Sequence, residues 1–181
     1  MEALCARVAV VTALVAAVAA LAVGAGGATA AANPAGTIAA EDQLEGQILV
    51  ALNATLRAHG LVPLKLSRSL TAAADAHTRS MATYGYFSHV SRDGLGLRER
   101  VGRYYGRGQR WAAGENLLWS SPTLAAPEAM KAWMESGEHR KNILRPLYRE
   151  IGLSAVSVPA GPGVFEGLPT VIVTTTFGVR Y

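Results

Sequence analysis

Apolar residues recur at every fourth position through Leu44, Ile48, Leu52 and Leu56, a stripe that keeps one side of a helix in a core. The helix it predicts spans Glu41–His59 and stops at Gly60. The next six residues, Leu61–Leu66, read as extended because Pro63 restricts its predecessor. A second helix, capped by Ser67 or Ser69, runs to about Tyr84, with Leu70, Ala73 or Ala74, His77 and Met81 turned inward and Gly85 as its stop. From Ser91 to Arg110 glycine and arginine dominate, so this stretch is expected to be mostly loop, with one short helical piece around Leu95, Leu97 and Val101. Trp111–Ser120 carries neither period and receives no element, whereas Leu124–Ser136 predicts a third helix that starts near Pro127 and buries Ala129, Ala132 and Trp133. Beyond it the repeat drops to two residues, at Ile151, Leu153 and Ala155 and again at Val171, Val173, Thr175, Phe177 and Val179. These are two strands, expected to be antiparallel and joined by a surface loop over Pro159–Pro169. Helices first and strands last give the class α+β.

The N-terminal residues follow a different logic. Met1–Arg7 carries a basic residue and precedes the unbroken apolar run Val8–Val23; Gly24, Gly26 and Gly27 come next, then Ala28-Thr29-Ala30. That order is an export signal with a small-residue cleavage site near Ala30–Ala32. The run is shorter than the roughly 20 apolar residues a span needs, so no stable membrane span is expected after cleavage. Residues 1–32 are therefore read as a signal peptide, 33–43 as a short linker and 44–181 as one domain, secreted or held at a bacterial envelope. Half of the 181 residues are hydrophobic and 17% are charged, enough for a sizeable core. The only cysteine, Cys5, lies in the signal, so the mature domain is cysteine-free and is expected to hold by packing alone, without a disulfide, a thiolate metal site or a cysteine nucleophile. Loss of Glu2 and Arg7 leaves the net charge of +4 unchanged. A balance that mild suits anionic envelope polymers and excludes nucleic acid as a partner.

Four ordered segments resemble a known family. Ala72–His89, AAADAHTRSMATYGYFSH, is similar to the second-helix signature of bacterial CAP domains, the SCP-like branch of the cysteine-rich secretory, antigen 5 and pathogenesis-related class 1 superfamily. Gly114-Glu115-Asn116-Leu117 resembles its GEN-L element, Trp133–Leu144 its W-x-x-S-x-x-H-x-x-x-I-L element, and Glu150-Ile151-Gly152 with Thr176-Phe177-Gly178 its closing strands. The resemblance spans about Leu44 to Val179. It implies an α-β-α sandwich, a small antiparallel sheet between helical layers, and a cleft carrying two histidines and acidic partners. The matching positions here are His89, Glu115 and His139. Many relatives outside bacteria place a second glutamate where this chain has Ser136; Glu135 and Glu138 flank that position, and either replaces it only if the backbone bends suitably.

The cleft set His89, Glu115, Ser136 and His139 admits three chemistries. His89 and His139 are candidate ligands for zinc or another divalent ion, weakly held because two imidazoles and one carboxylate leave positions open to water. Alternatively the histidines hydrogen-bond Glu115 and simply knit loop ends together. Ser136 and Glu115 are the candidates for a serine-type or metal-dependent hydrolase acting on peptides or esters, although no G-x-S-x-G elbow is present and the adjacent Ser88 and His89 diverge on an extended backbone. The first reading is a binding module for an unknown envelope lipid, glycan or protein. Among the remaining residues, His77 reads as structural, His59 as a helix-end residue suited to the dipole, and Trp111, Trp119 and Trp133 as core anchors. Arg98, Arg100, Arg103, Arg107 and Arg110, with Tyr104, Tyr105 and Trp111, read as a solvated basic face able to meet anionic lipid or glycan.

Overall fold

The computed structural model describes residues 34–106 and 108–181; the expected export signal, Cys5 and Arg107 lie outside them. Helix α1 (Pro34–Ala58) buries the predicted stripe of Leu44, Ile48, Leu52 and Leu56. It begins earlier than expected, so the segment read as a linker is helical from Pro34 onward. The sheet edge beneath it gives the first turns their anchor. The strands are β1 (Lys65–Leu66), β2 (Trp111–Ser120), β3 (Glu150–Val158) and β4 (Thr170–Arg180). β1 runs parallel to β3 and covers only Glu150 and Ile151 of it, leaving the outer edge of β3 without a strand beyond that point. Glu41 and Glu45, one helical turn apart on α1, accept the edge N–H groups of Ser157 and Ala155, the latter at 2.8 Å. The rise of one helical turn nearly matches the advance of two strand residues, so α1 lies along the edge and blunts it.

β4 is central and antiparallel to both β3 and β2, giving the order β1-β3-β4-β2. The antiparallel pair expected from the C-terminal periodicity is present, and β1 and β2 extend it to a mixed four-stranded sheet. β2 escapes the pattern because Glu115 and Asn116 interrupt the apolar positions on both of its faces, although Gly114–Leu118 is buried throughout. Its two faces serve different layers: Leu117 joins Met81, Phe165 and Ile172, while Leu118 joins the cluster around Trp133.

Two helical layers cover the sheet, as the resemblance implies. One holds α2 (Arg68–Tyr84) and α3 (Leu97–Gly102), the short piece expected within the Gly/Arg-rich stretch. Its contacts run through Leu70, Ala73, Val101 and Tyr105 and through Met81, Val156 and Ile172. The other holds α1, α4 (Ala126–Glu135) and α5 (Gly137–Ile143), packed over Trp133, Ile151, Val173 and Phe177. The predicted third helix is α4, and α5 is a further helix that the sequence does not predict; Ser136 separates the two, with an extended backbone (φ −85°, ψ 120°).

Two glycines set the close approaches. Gly85 ends α2 as expected, in the left-handed region at φ 67°, with its N–H on the Met81 carbonyl. Its own carbonyl accepts the Val164 N–H at 2.9 Å, so the connection between β3 and β4 is pinned to α2. That connection is less of a surface loop than expected, since its short 3-10 turn Gly163–Phe165 drives Phe165 fully into the core. At Gly152, α2 lies so near β3 that an added Cβ would run into the backbone of Leu70 and Thr71. Among the described residues no helix is long and apolar enough to cross a membrane.

This packing makes two outcomes measurable. Gly152→Ala should destabilise the fold by about 3 kcal/mol, because the obstruction is backbone and cannot rotate away; chemical denaturation measures it. Burial, aided by Asp42, Asp75 and Glu41, lifts the Glu45 carboxyl from 4.5 to about 7 against the opposing pull of the Ala155 N–H. A folded-state value above the unfolded one stabilises fully below pH 4.5, and that contribution is lost as pH rises through 7. Glu45→Gln keeps the acceptor and removes the titration. It should flatten the stability profile between about pH 5 and 8 and exceed the wild type at the upper end by about 1 kcal/mol, allowing for partial solvent screening.

Candidate functional site

Each site residue comes from a different element. β2 turns Glu115 toward the α2–α3 layer, the loop after α2 supplies His89, α3 supplies Arg100, and α5 supplies His139. Glu115 is the centre. Its side chain is 1% exposed, and both oxygens are engaged. Arg100 Nη2 donates to Oε1 at 2.8 Å, Nη1 donates to Oε2 at 3.1 Å, and His89 Nδ1 lies 2.9 Å from Oε1. Arg100 Nη2 also reaches the His89 carbonyl at 2.9 Å, closing a ring of three residues. Burial by itself would raise the Glu115 carboxyl, but the His89 hydrogen bond and the Arg100 charge outweigh it and hold the group below its ordinary range. Facing an ionised carboxylate, His89 Nδ1 carries a proton, so in the neutral ring Nε2 is the acceptor.

The neighbour of Glu115 in the chain serves the opposite face. Asn116 donates to the His139 carbonyl at 3.0 Å. Asn142 donates to the Asn116 side-chain oxygen at 2.9 Å and to the Glu115 carbonyl at 3.0 Å. Gly114 is small because a Cβ there would collide with the Tyr148 hydroxyl. Three consecutive residues therefore fasten β2 to both layers and hold α5 so that His139 is mostly buried near His89. Desolvation, then the neighbouring His89 imidazole, lowers the His139 imidazole below its usual value, so it is neutral at pH 7.

The structure hydrogen-bonds His89 to Glu115 and brings His139 near enough to His89 for the two to interact electrostatically. Ser136 stands at the break before α5, and among the described residues its hydroxyl has no bond to either histidine. Ser88 Oγ is taken by the Val90 N–H at 3.1 Å. Glu135 is exposed and pairs with Lys131 at 3.7 Å, and Glu138 is exposed, contributing only its charge to His139. No group of three metal-ligating side chains forms among the described residues. Glu115 does not serve as a third ligand, since a guanidinium already occupies the carboxylate edge. The residues present do not fit a resident ion held by three protein ligands; among the described residues, His89 Nε2 and the His139 ring carry no hydrogen bond.

Sequence reasoning does not single out Arg100, Asn116 or Asn142. Arg100 belongs in sequence to the basic run, which the structure breaks up. Arg100 is internal, Arg98 sits 5.5 Å over the Trp111 ring, and Tyr105 is buried beneath Arg180 at 4.5 Å. Arg98, Arg103, Arg110 and Tyr104 are exposed, so the solvated basic face expected here is present without Arg100 and Tyr105. His77 is structural as expected, buried, with Nε2 2.9 Å from the Ser88 carbonyl. His59 Nδ1 rests 2.8 Å from the Thr55 carbonyl at the end of α1. Trp133 is a fully buried anchor, while Trp111 and Trp119 are only partly covered.

Comparison with known proteins agrees with this geometry. The model of the family described as "CAP: Cysteine-rich secretory protein family" matches residues 49–175. Two Bacillus subtilis proteins are similar: YkwD, described as uncharacterized, is 34% identical over 112 residues, 62% of this chain and 42% of that protein. YlbC, described as an uncharacterized membrane protein, is 32% identical over 109 residues, 60% of this chain and 30% of that protein. The chain thus spans less than half the length of either. A structure of a Bacillus anthracis extracellular protein containing a SCP domain superposes with a TM-score of 0.63 at 24% identity, over 82% of this chain and 44% of that one. A Borrelia burgdorferi outer surface protein gives 0.58 at 15% identity, over 74% and 90%. These two share the fold.

Removing Arg100 strands a buried carboxylate. Arg100→Met should cost about 3–5 kcal/mol, read by denaturant unfolding at pH 7. Adding Glu115→Gln to it removes the uncompensated charge and should recover a substantial part; no recovery would mean that Arg100 acts by packing instead.

Proposed function

The chain belongs to the cysteine-rich secretory protein (CAP) family, and on that premise we propose that it is an extracellular binding module whose His89–His139 cleft receives a ligand or partner without turning it over. The location is supported by the export signal expected in the first 32 residues and by the description of the Bacillus anthracis neighbour as an extracellular protein. One observation carries the binding reading. Both oxygens of Glu115 are saturated by Arg100 and His89, so the carboxylate orients an imidazole and is spent as a base or as a ligand. A serine hydrolase needs a hydroxyl on a histidine, and neither Ser88 nor Ser136 supplies one. A metal-dependent one needs an ion held firmly enough to activate water; a divalent ion between two imidazoles would be weakly held and exchangeable.

The electrostatics narrow the ligand. Glu115 and Arg100 cancel, and His139 is neutral, so the cleft floor is polar and uncharged. His89 Nε2 accepts a hydrogen bond, which suits the hydroxyl or amide N–H of an envelope glycan or peptide.

Sedimentation with purified bacterial cell-wall sacculi, alongside a panel of peptide and ester substrates, tests the reading. Wild-type protein should be retained, His89→Ala/His139→Ala at least about fivefold less, with turnover by neither. Equal retention of both proteins overturns the reading. So does turnover that Ser136→Ala abolishes, or zinc binding tighter than about 10 μM that the double variant loses.

A further inference from the structure

Two concavities have linings that include neither His89 nor His139. One, of about 460 Å³, is walled by α2, α3 and residues 91–93 and counts Arg100 in its lining. The other, a groove of about 310 Å³, lies where the sheet ends. Residues 118–120 of β2 and residues 121–124 after it form one wall; Glu128, Lys131, Ala132 and Glu135 of α4 form the other. The α4 residues fall at i, i+3, i+4 and i+7, which is one face of that helix.

β2 is an outer strand, bonded to β4 on one side only. Its phase follows from the Tyr181 N–H, which donates to the Arg110 carbonyl at 2.9 Å and continues the unbroken register that pairs Trp111 with Arg180 and Ser120 with Val171. In an antiparallel ladder alternate residues turn both backbone groups to the partner strand. Arg110 and every second residue to Ser120 therefore face β4, whereas Trp111, Ala113, Glu115, Leu117 and Trp119 face outward. Two outward carbonyls agree with this phase: that of Glu115 accepts the Asn142 amide at 3.0 Å, and that of Leu117 accepts Trp133 Nε1 at 3.3 Å. Those side chains close the middle of the edge. Among the described residues the N–H and carbonyl of Trp119 have no such partner, and Trp119 belongs to the groove lining. An unpaired strand end beside a groove is where an extended peptide adds to a sheet.

The side chains select the peptide. A residue placed opposite Trp119 exchanges two hydrogen bonds with it, and its neighbours then point to the face that carries Leu118, which packs in the cluster around Trp133 on the α4 side. The charged residues of the groove are Glu128, Lys131 and Glu135. Glu128 accepts the Ala125 N–H at 3.0 Å and keeps its charge, while Lys131 and Glu135 pair at 3.7 Å with both side chains exposed. Two carboxylates against one ammonium leave the groove negative. We propose that it binds a short extended segment of another protein, which pairs with Trp119 at the sheet edge and sets a lysine or arginine against Glu128 and Glu135. The closed carbonyls of Glu115 and Leu117 keep that segment short.

This goes beyond the cleft reading, and the experiment separates the two. NMR-monitored titration of the purified protein uses the capped peptide acetyl-Thr-Lys-Val-Ser-Thr-amide. The amides of Trp119, Ser120 and the groove face of α4 should shift, with a Kd below about 2 mM. N-methylation of the valine, which sits opposite Trp119 and loses its donor, should weaken binding by about fivefold. N-methylation of the lysine, whose N–H points away from the edge, should leave it unchanged. Glu128→Gln/Glu135→Gln keeps an acceptor for the Ala125 N–H and should weaken the peptide by about fivefold, whereas Lys131→Glu should tighten it. His89→Ala/His139→Ala should bind the peptide like wild type whatever the cleft does. Binding that survives N-methylation of the valine, a Glu128→Gln/Glu135→Gln variant of wild-type affinity, or no shifts at about 10 mM peptide overturns the proposal.

Discussion

A carboxylate sits in the interior of this domain, and the rest of the site is arranged to make that tolerable. An isolated ionised group removed from water costs several kcal/mol. Here Arg100 meets Glu115 through two terminal nitrogens and His89 adds a third hydrogen bond. To deliver that guanidinium, α3 has to dock against β2, and Val101 and Tyr105 are the apolar residues that seat it. The loop after α2 is fixed by the same arginine through the His89 carbonyl and by His77 through the Ser88 carbonyl. A neutral ion pair at the base of the cleft, with an imidazole oriented upon it, is the product.

The sheet converts that local solution into a junction. Neighbours on a strand point to opposite faces, so Glu115 and Asn116 address different helical layers from one place. Glu115 gathers α3 and the His89 loop; Asn116 gathers α5 through the His139 carbonyl and Asn142. Gly114 completes the arrangement by leaving room for the Tyr148 hydroxyl. Two histidines 50 positions apart in the chain meet because these three residues tie both layers to the same segment of β2.

How much of this is legible in the sequence depends on the range of the physics. Periodicity exposes any element whose larger apolar residues keep to one side, so the stripe of α1, the inward side of α2 and the alternation of β3 and β4 can be read directly, the strands even though both of their faces are buried. β2 cannot, because Glu115 and Asn116 interrupt the apolar positions on its two faces. The early start of α1 is hidden for another reason: Glu41 and Glu45 look like ordinary surface acids until the unpaired edge of β3 lies beside them. His89, Glu115 and His139 are accessible through resemblance and not through pattern. Arg100 is accessible through neither, since nothing local separates a buried arginine from the exposed ones around it, and its partner lies 15 positions away on another element.

Arg100 also explains why two concavities close together differ in character. A guanidinium has donors on both the fork and the Nε side. The fork is spent on Glu115 and the His89 carbonyl, which cancels the charge where the cleft opens; Nε stays unpartnered on a residue of the neighbouring cavity. The pair therefore leaves no net charge where Glu115 meets Arg100, and the neighbouring cavity takes its charge from other residues of its lining, Arg92, Asp93 and Arg103. Because a single side chain belongs to both walls, a substitution at Arg100 would alter the two spaces together.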